Sequence, residues 1–242
     1  LPAAPAVLEV APLLRELIAP LLEWLQGPFK EHDGALRLRR AQADVLDQLA
    51  KGMQRPWLGG ERLRAELERQ RAPREPAVEP EGFRATLRGY QREGLGWLAF
   101  LADAGLGGVL ADDMGLGKTV QVLAHLLAEK QRGRLDKPAL VIAPTSLVGN
   151  WRDEAARFVP DLSVLVVHGP QRAGVHADIP RHDIVITTYP LLLRDRDALI
   201  AHEYSVLMLH YAQAIKNAKS QAAKFVRELV ARQSISMTGT PL

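Results

Sequence analysis

The first 80 residues carry apolar side chains at helical spacing. Leucine and isoleucine recur every three or four positions between residues 13 and 25, and a second apolar series runs from Leu38 to Leu49. A third segment, Glu61–Arg71, is strongly charged and has only Leu63 and Leu67 to bury. The pattern predicts a helical N-terminal subdomain without strands over 1–80. It ends in a linker over 72–81, where three prolines oppose both helix and sheet.

From residue 81 to residue 242, short apolar runs alternate with helical patterns. The predicted strands are Gly108–Ala111, Ala139–Ala143, Val164–His168, Asp183–Thr187, Val206–His210 and Ser234–Thr238. The predicted helices are Leu87–Leu101, Lys118–Gln131, Asn150–Phe158, Leu191–Ala201 and Ser220–Arg232. Several strand runs are apolar at every position, which is typical of strands covered on both faces. The pattern therefore predicts an α/β domain with a mainly parallel sheet flanked by helices.

Composition narrows the classes of function only slightly. The chain has no cysteine, which excludes disulfides and thiolate metal sites and fits a reducing compartment. No apolar run reaches the roughly 18 residues that a membrane span needs, so we expect no membrane partner. The net charge of +3 permits a nucleic-acid partner without requiring one. The histidines, including His125, show no paired metal-ligand spacing, and we expect them at the surface or at helix ends.

The most specific chemistry lies in the loop between the first strand and the second helix of this α/β part. It reads Ala-Asp-Asp-Met-Gly-Leu-Gly-Lys-Thr. Gly115 and Gly117 let backbone N–H groups turn toward phosphate oxygens, Lys118 reaches the β- and γ-phosphates, and the Thr119 hydroxyl ligates Mg²⁺. Asp112 stands where the strict phosphate-loop pattern has glycine. The loop predicts a nucleotide site; the alternative is a glycine turn beside a surface lysine.

Further motifs surround this loop in a fixed order. Leu87–Leu98 precedes it, Val141–Trp151 and Ile186–Tyr189 place hydroxyls at strand ends, and Met237–Leu242 reads Met-Thr-Gly-Thr-Pro-Leu. Through these motifs the chain from residue 83 to residue 242 resembles the Swi/Snf-type DNA translocases of helicase superfamily two, bacterial members in particular. The resemblance implies that 81–242 is the first RecA-like P-loop NTPase lobe. The second lobe, with its ATP-completing arginines, would be absent from this chain.

The resemblance also assigns roles to individual residues. It implies ATP and Mg²⁺ as cofactors, with Lys118, Thr119 and Gln213 as catalytic residues and Thr119 as the metal ligand. The nucleotide-binding residues would be Gln91, Asp113, Met114, Gly115, Leu116, Gly117, Lys118 and Thr119, with the Gln91 amide reading the adenine edge. The DNA-contacting residues would be Pro144, Thr145, Ser146, Asn150, Trp151, Thr187, Thr188 and Tyr189, through phosphates rather than bases. The residues that couple nucleotide state to DNA grip would be Gln213, Thr238, Gly239 and Thr240.

The resemblance fails at one place. Where the family has Asp-Glu-Ala-Gln, this chain has His210-Tyr211-Ala212-Gln213. The missing Asp would hold Mg²⁺, which prefers oxygen ligands, and the missing Glu would activate water, for which neutral-pH Tyr211 is a weak base. Two hypotheses stay open: an ATP-driven translocase, and a module that binds ATP and DNA without hydrolysis. A third hypothesis is a DNA-tracking subunit of a restriction system. Such a subunit would share the motor but not the residues of the motifs at Leu87–Leu98 and Ala111–Thr119.

The expected partners follow from the same resemblance. They are double-stranded DNA held through its phosphates, a second RecA-like lobe of the same polypeptide, and a DNA-bound protein complex on which a translocase would act. We expect a cytoplasmic, nucleoid-associated location.

Overall fold

A computed structural model describes residues 76–113, 115–211 and 220–239, together with three short strands near the N-terminus. The chain divides into two compact units, Leu1–Pro73 and Arg74–Leu242. In the first unit, β1 (Val7–Leu8), β2 (Glu31–His32) and β3 (Ala35–Arg37) form an antiparallel sheet in the order β1-β3-β2.

These strands make the prediction of a strand-free N-terminal part wrong. β2 and β3 pair with His32 opposite Ala35, so the two residues between them are Asp33 and Gly34. Asp-Gly between two short runs is a strong signal for a tight β-hairpin, and helical periodicity elsewhere in this part concealed it. The helices predicted over 13–25, 38–49 and 61–71 lie outside the described residues.

The second unit contains a six-stranded sheet. Its strands are β4 (Gly108–Leu110), β5 (Ala139–Ala143), β6 (Val164–Val166), β7 (Ile184–Thr188), β8 (Tyr204–His210) and β9 (Ala231–Met237). Their order across the sheet is β4-β9-β8-β5-β7-β6, and all neighbouring pairs are parallel. The predicted parallel α/β architecture is confirmed.

One α-helix precedes these strands and further α-helices lie between them along the chain. The helices are α1 (Gly89–Asp103), α2 (Lys118–Gln131), α3 (Val148–Phe158), α4 (Arg196–Ile200) and α5 (Gln221–Glu228). The helix predicted over Ser220–Arg232 ends four residues early, because Ala231 and Gln233 pair with β8 and the sheet ladder overrides local helical preference. α4 is shorter than predicted, and a 3₁₀ turn, Tyr189–Leu191, precedes it. Within the described part, no helix has the length and apolarity needed to cross a membrane.

Both faces of the sheet are buried. Val141, Ile186 and Met208 pack with α1, α2 and α3 in one apolar cluster, whereas their neighbours Ile142 and Leu207 belong to a second cluster on the opposite face. This arrangement explains the uninterrupted apolar runs in the sequence. The carboxyl ends of the parallel strands meet along one edge, so the loops after them lie next to each other, where ligands of open α/β sheets bind.

A close contact between α1 and α2 yields a stability prediction. A Cβ on Gly94 would lie 2.0 Å from Oε1 of Gln121, a side chain that is itself fully buried. Gly94→Ala is therefore expected to displace Gln121 and to lower the free energy of unfolding by about 1–2 kcal/mol despite the better helix propensity of alanine. Urea unfolding of the chain measures this.

Gly149 supplies the matched control, because it lies in α3 and a Cβ added to it would meet nothing within 4 Å. Gly149→Ala is expected to raise the free energy of unfolding by about 0.5–1 kcal/mol. Equal shifts in the two variants would contradict the tight α1–α2 contact.

Candidate nucleotide-binding site

The loop between β4 and α2 turns through two left-handed glycines. Gly115 has φ 83° and Gly117 has φ 72°, backbone values that L-residues rarely adopt. Gly117 is the residue that precedes the first turn of α2. A Cβ on Gly117 would lie 2.5 Å from Nε2 of Gln91, so this position also has no room for a side chain. The loop therefore has the bend and the helix N-terminus that a phosphate-binding loop needs.

Lys118 lies over the carbonyl groups at the start of this loop. Its Nζ donates hydrogen bonds to the backbone oxygens of Asp112 at 2.7 Å and Asp113 at 2.8 Å, and the residue is 8% exposed. Burial lowers the pKa of Lys118, and the Asp112 and Asp113 carboxylates oppose that shift. A desolvated cation held at a helix N-terminus is a strong attractor for phosphate oxygens.

Gln91 joins the start of α1 to the loop. Its Oε1 accepts a hydrogen bond from the backbone N–H of Arg88 at 2.9 Å, and its Nε2 donates to the carbonyl oxygen of Leu116 at 3.1 Å. The hydroxyl of Tyr90 donates to the same carbonyl at 3.2 Å. An amide has two N–H donors and two acceptor lone pairs, so Gln91 retains one of each for a further partner. The structure thus places the predicted adenine-reading residue beside the predicted phosphate-binding residues.

Asp112, the departure from the strict loop pattern, has a structural partner. Its Oδ2 accepts a hydrogen bond from Nε2 of Gln121 at 2.8 Å. Gln121 is fully buried on α2, and its Oε1 has no hydrogen-bond partner within the described part of the chain. The side chain of Asp112 is therefore hydrogen-bonded to α2, and its backbone carbonyl oxygen accepts a hydrogen bond from Lys118. Sequence reasoning missed Gln121, whose position three residues after Lys118 is its only signal.

The carboxyl end of β8 carries a cluster of aromatic rings around His210. Nε1 of Trp151 donates to Nδ1 of His210 at 3.0 Å, and the hydroxyl of Tyr189 donates to the His210 carbonyl oxygen at 3.0 Å. The ring of Tyr211 stacks on the imidazole with 4.9 Å between centroids. Burial, with a further contribution from the Lys118 charge, lowers the pKa of His210 to about 4. The imidazole is therefore neutral at physiological pH.

Tyr211 has an unusual backbone. Its φ of 58° is the only positive value of a non-glycine residue in the described ranges, and its N–H donates to the carbonyl oxygen of Met237 at 2.9 Å. This bond extends the pairing of β8 with β9 by one residue. Left-handed backbone in a bulky residue costs free energy and is found where surrounding contacts enforce it. Gln213, two residues later, lies outside the described residues, as do Met114 and Thr240.

The predicted DNA-contacting residues separate into exposed and covered groups. The side chains of Thr145, Ser146 and Asn150 are exposed around the start of α3, and those of Pro144 and Tyr189 are partly exposed. The remaining three predicted contacts are covered: Trp151 is 1% exposed and faces His210, and the hydroxyls of Thr187 and Thr188 are buried without a hydrogen-bond partner within the described residues.

The predicted coupling residues begin where β9 ends. The backbone N–H of Thr238 donates to the carbonyl oxygen of Leu110 at 3.1 Å, so the end of β9 is bonded to the strand that leads into the phosphate loop. Gly239 follows in the described chain. Since β9 lies between β4 and β8, it pairs both with the strand that leads into the phosphate loop and with the strand that ends in His210.

His125 corrects one prediction. The sequence predicts it at the surface or at a helix end, but it is fully buried in the middle of α2. Nε2 of His125 and Oε1 of Gln233 lie 2.9 Å apart, and Nε2 of Gln233 donates to the carbonyl oxygen of Leu98. Burial lowers the pKa of His125, so the ring is neutral and tolerated in the core. The hydrogen-bond partner of His125 is 108 residues away in sequence, so no local sequence pattern predicts this contact.

The residues present fit a nucleotide better than they fit Mg²⁺. The turn at Gly117, the Lys118 ammonium and the helix N-terminus together make a cradle for phosphates. For the metal, Thr119 provides a hydroxyl, but the end of β8 provides an imidazole whose Nδ1 is already bonded to Trp151. In the described residues, no group of three or more His, Asp or Glu side chains is arranged to hold a metal ion.

Comparisons with known proteins agree with this geometry. The family model described as "SNF2-related domain" matches residues 90–242. The chain is 43% identical over 163 residues to the putative ATP-dependent helicase/translocase YwqA of Bacillus subtilis, an alignment that covers 66% of this chain and 18% of YwqA. It is 37% identical over 161 residues to the ISWI chromatin-remodeling complex ATPase ISW2 of Saccharomyces cerevisiae, covering 64% of this chain and 14% of ISW2.

A solved structure is similar as well. The Sulfolobus solfataricus SWI2/SNF2 ATPase core in complex with dsDNA aligns with a TM-score of 0.64 and 40% identity, over 68% of this chain and 34% of that one. The chain thus spans about a third of that core and less than a fifth of YwqA. These relatives are described as ATPases or as a translocase, and they give no support to the hypothesis of a non-hydrolysing module. Because the family match covers more than half of the chain and the fold agrees with it, this chain belongs to the SNF2-related domain family, an ATPase family whose membership implies nucleotide binding.

Proposed function

We propose that this chain is the ATP-binding lobe of a motor that couples ATP hydrolysis to translocation along double-stranded DNA and remodels protein–DNA complexes. The observation that carries the proposal is the phosphate cradle of Gly117 and Lys118 at the carboxyl edge of a parallel sheet. The proposed setting is the cytoplasm, at the nucleoid, with a second RecA-like lobe of the same polypeptide closing over the nucleotide.

The proposed division of work follows the positions of the residues. Lys118 neutralises the charge of the β- and γ-phosphates, and the remaining donor and acceptor of Gln91 bind the adenine edge. Mg²⁺, when bound, neutralises phosphate charge, and the Thr119 hydroxyl is the group in this lobe that would hold it. An arginine from the second lobe would complete the site, and such arginines raise phosphoryl-transfer rates by roughly 10³–10⁵-fold.

Coupling between the bound nucleotide and DNA would be transmitted through hydrogen bonds between neighbouring strands of the sheet. β9 is bonded to β4 at the phosphate loop and to β8 beside His210, so a shift at the nucleotide reaches the segment that begins at Thr238. We assign Gln213, Gly239 and Thr240 to the same coupling role. The exposed hydroxyls of Thr145 and Ser146 are suited to DNA phosphates, which they can bond without reading sequence.

These hydroxyls give a DNA-binding prediction. The double substitution Thr145→Ala/Ser146→Ala is expected to weaken duplex binding by about tenfold, since each neutral hydrogen bond contributes about 0.5–1.5 kcal/mol net. The loss should be equal on two duplexes of unrelated sequence, and the affinity should fall steeply between about 50 and 200 mM salt. Fluorescence anisotropy measures both.

Ser234→Ala is the matched control, because Ser234 is an exposed hydroxyl in the middle of β9, away from the carboxyl edge. It should leave DNA affinity unchanged. A loss that depends on the DNA sequence would argue against phosphate contacts.

Translocation itself needs a test of movement. A polypeptide that joins this lobe to a second RecA-like lobe is expected to displace a triplex-forming strand from duplex DNA in an ATP-dependent manner. DNA-stimulated hydrolysis without displacement would contradict the translocase function while leaving the nucleotide site intact.

A further inference from the structure

The hydrogen bond between Trp151 and His210 fixes where the imidazole carries its proton. The indole Nε1–H is a donor only, so Nδ1 of His210, 3.0 Å away, must be an acceptor. An imidazole that accepts at Nδ1 is neutral and bears its hydrogen on Nε2. The lowered pKa of His210 agrees with this state. Nε2 is therefore a donor and has no lone pair to offer a metal ion.

The other contacts of His210 hold the ring in place without using Nε2. Tyr211 stacks on one face, the Trp151 ring meets it edge-on with 5.9 Å between centroids, and the Tyr189 hydroxyl bonds the backbone oxygen. Among the described residues, Nε2 of His210 has no hydrogen-bond acceptor, so its N–H is left for a further partner.

The place of this donor relates it to the phosphate loop. His210 ends β8, and β9 alone separates β8 from β4, so the imidazole and the phosphate loop both follow the carboxyl ends of these parallel strands. The positive charge of Lys118 contributes to lowering the pKa of His210. An anion bound by Lys118 would be drawn toward a neighbouring N–H donor, because charge-assisted hydrogen bonds to phosphate are strong.

We propose that His210 binds the terminal phosphate of a nucleoside triphosphate through its Nε2–H, with Trp151 as the positioning residue that fixes the tautomer. The inference rests on the proposed nucleotide site. A carboxylate at position 210 would repel the γ-phosphate unless a cation lay between them. The neutral N–H donor of His210 attracts the γ-phosphate instead. Triphosphate binding by this lobe therefore depends little on Mg²⁺.

The test compares fluorescent ATP and ADP analogues binding to the 242-residue chain in excess EDTA and in Mg²⁺. The unmodified chain should prefer the triphosphate in EDTA and change its affinity by less than about threefold on adding Mg²⁺. The His210→Asn variant keeps an acceptor for Trp151 but lacks the distal N–H. Its affinity for the triphosphate in EDTA should be about 10-fold to 100-fold lower than that of the unmodified chain, and its affinity for the diphosphate should be unchanged. His210→Gln, whose amide nitrogen reaches the Nε2 position, should retain most of the affinity.

Two further variants separate the donor from mere packing. His210→Asp should bind the triphosphate poorly in EDTA and recover in Mg²⁺. Trp151→Phe should leave a mixture of imidazole tautomers in the ¹⁵N spectrum, where the unmodified chain shows the Nε2–H form. His168→Asn, at an exposed histidine, is the control and should change neither binding nor that signal.

The outcomes are distinguishable. Three results would each overturn the inference and leave the nucleotide site standing. They are equal triphosphate affinity of the unmodified chain and His210→Asn in EDTA, an Nδ1–H tautomer, and a loss of more than about threefold in triphosphate affinity on chelating Mg²⁺. Failure of the unmodified chain to bind either nucleotide would overturn the proposed nucleotide site together with it.

Discussion

Lys118→Ala is expected to abolish ATP binding, with a loss of affinity of about 100-fold or more. Its ammonium is a buried cation held at the mouth of the phosphate loop by two carbonyl oxygens. Removing it takes away a charge-assisted contact to the phosphates and leaves those carbonyls facing the anion. Isothermal titration with ATP measures the change, and ADP should be affected similarly because the diphosphate also carries the β-phosphate.

Lys130 gives the matched control for this substitution. It lies in the last turns of the same helix, α2, where its exposed side chain pairs with Asp183. Lys130→Ala removes one positive charge without touching the loop, and it should leave ATP affinity within about twofold. Unchanged ATP affinity in Lys118→Ala, with the fold intact by circular dichroism, would refute the assignment of the site.

The sheet and its loops are predictable because their signals are local. Strands such as Ala139–Ala143 are apolar throughout, since both faces of the sheet are covered, and this pattern needs no knowledge of the partner strand. The phosphate loop is predictable for the same reason, because its two glycines, its lysine and its threonine lie close together in the sequence. The predicted ends of helices are wrong where hydrogen bonds to a neighbouring strand decide between helix and strand, as at Ala231.

The contacts that give the site its character are not predictable from the sequence. Trp151 and His210 are 59 residues apart, and His125 and Gln233 are 108 apart. No spacing rule links such residues, because a polar side chain in a core depends on which distant atom satisfies it. The neutral, tautomer-fixed state of His210 follows from that distant partner. In the sequence alone, His210 marks only the place of a missing carboxylate.

In a polypeptide that carries this lobe and a second one, we expect the unmodified pair His210-Tyr211 to support slow DNA-stimulated ATP hydrolysis. The double substitution His210→Asp/Tyr211→Glu is expected to raise that rate by about 100-fold or more. A carboxylate at 210 would give Mg²⁺ an oxygen ligand at the end of β8, and a carboxylate at 211 would orient or deprotonate the attacking water. General-base catalysis alone contributes typically about 10²–10⁴-fold. Steady-state phosphate release with saturating DNA measures the rate.

Two single variants show which property of the pair limits hydrolysis. Tyr211→Phe keeps the aromatic stack on His210 and adds no carboxylate, so its rate should equal that of the unmodified polypeptide. His210→Asp alone should make triphosphate binding depend on Mg²⁺ yet hydrolyse ATP slowly, since it adds no carboxylate at position 211. If the unmodified polypeptide hydrolyses ATP as fast as the double variant, another carboxylate activates the water. Asp113, exposed beside the phosphate loop, would then be the first to replace, because Asp112 is already bonded to Gln121.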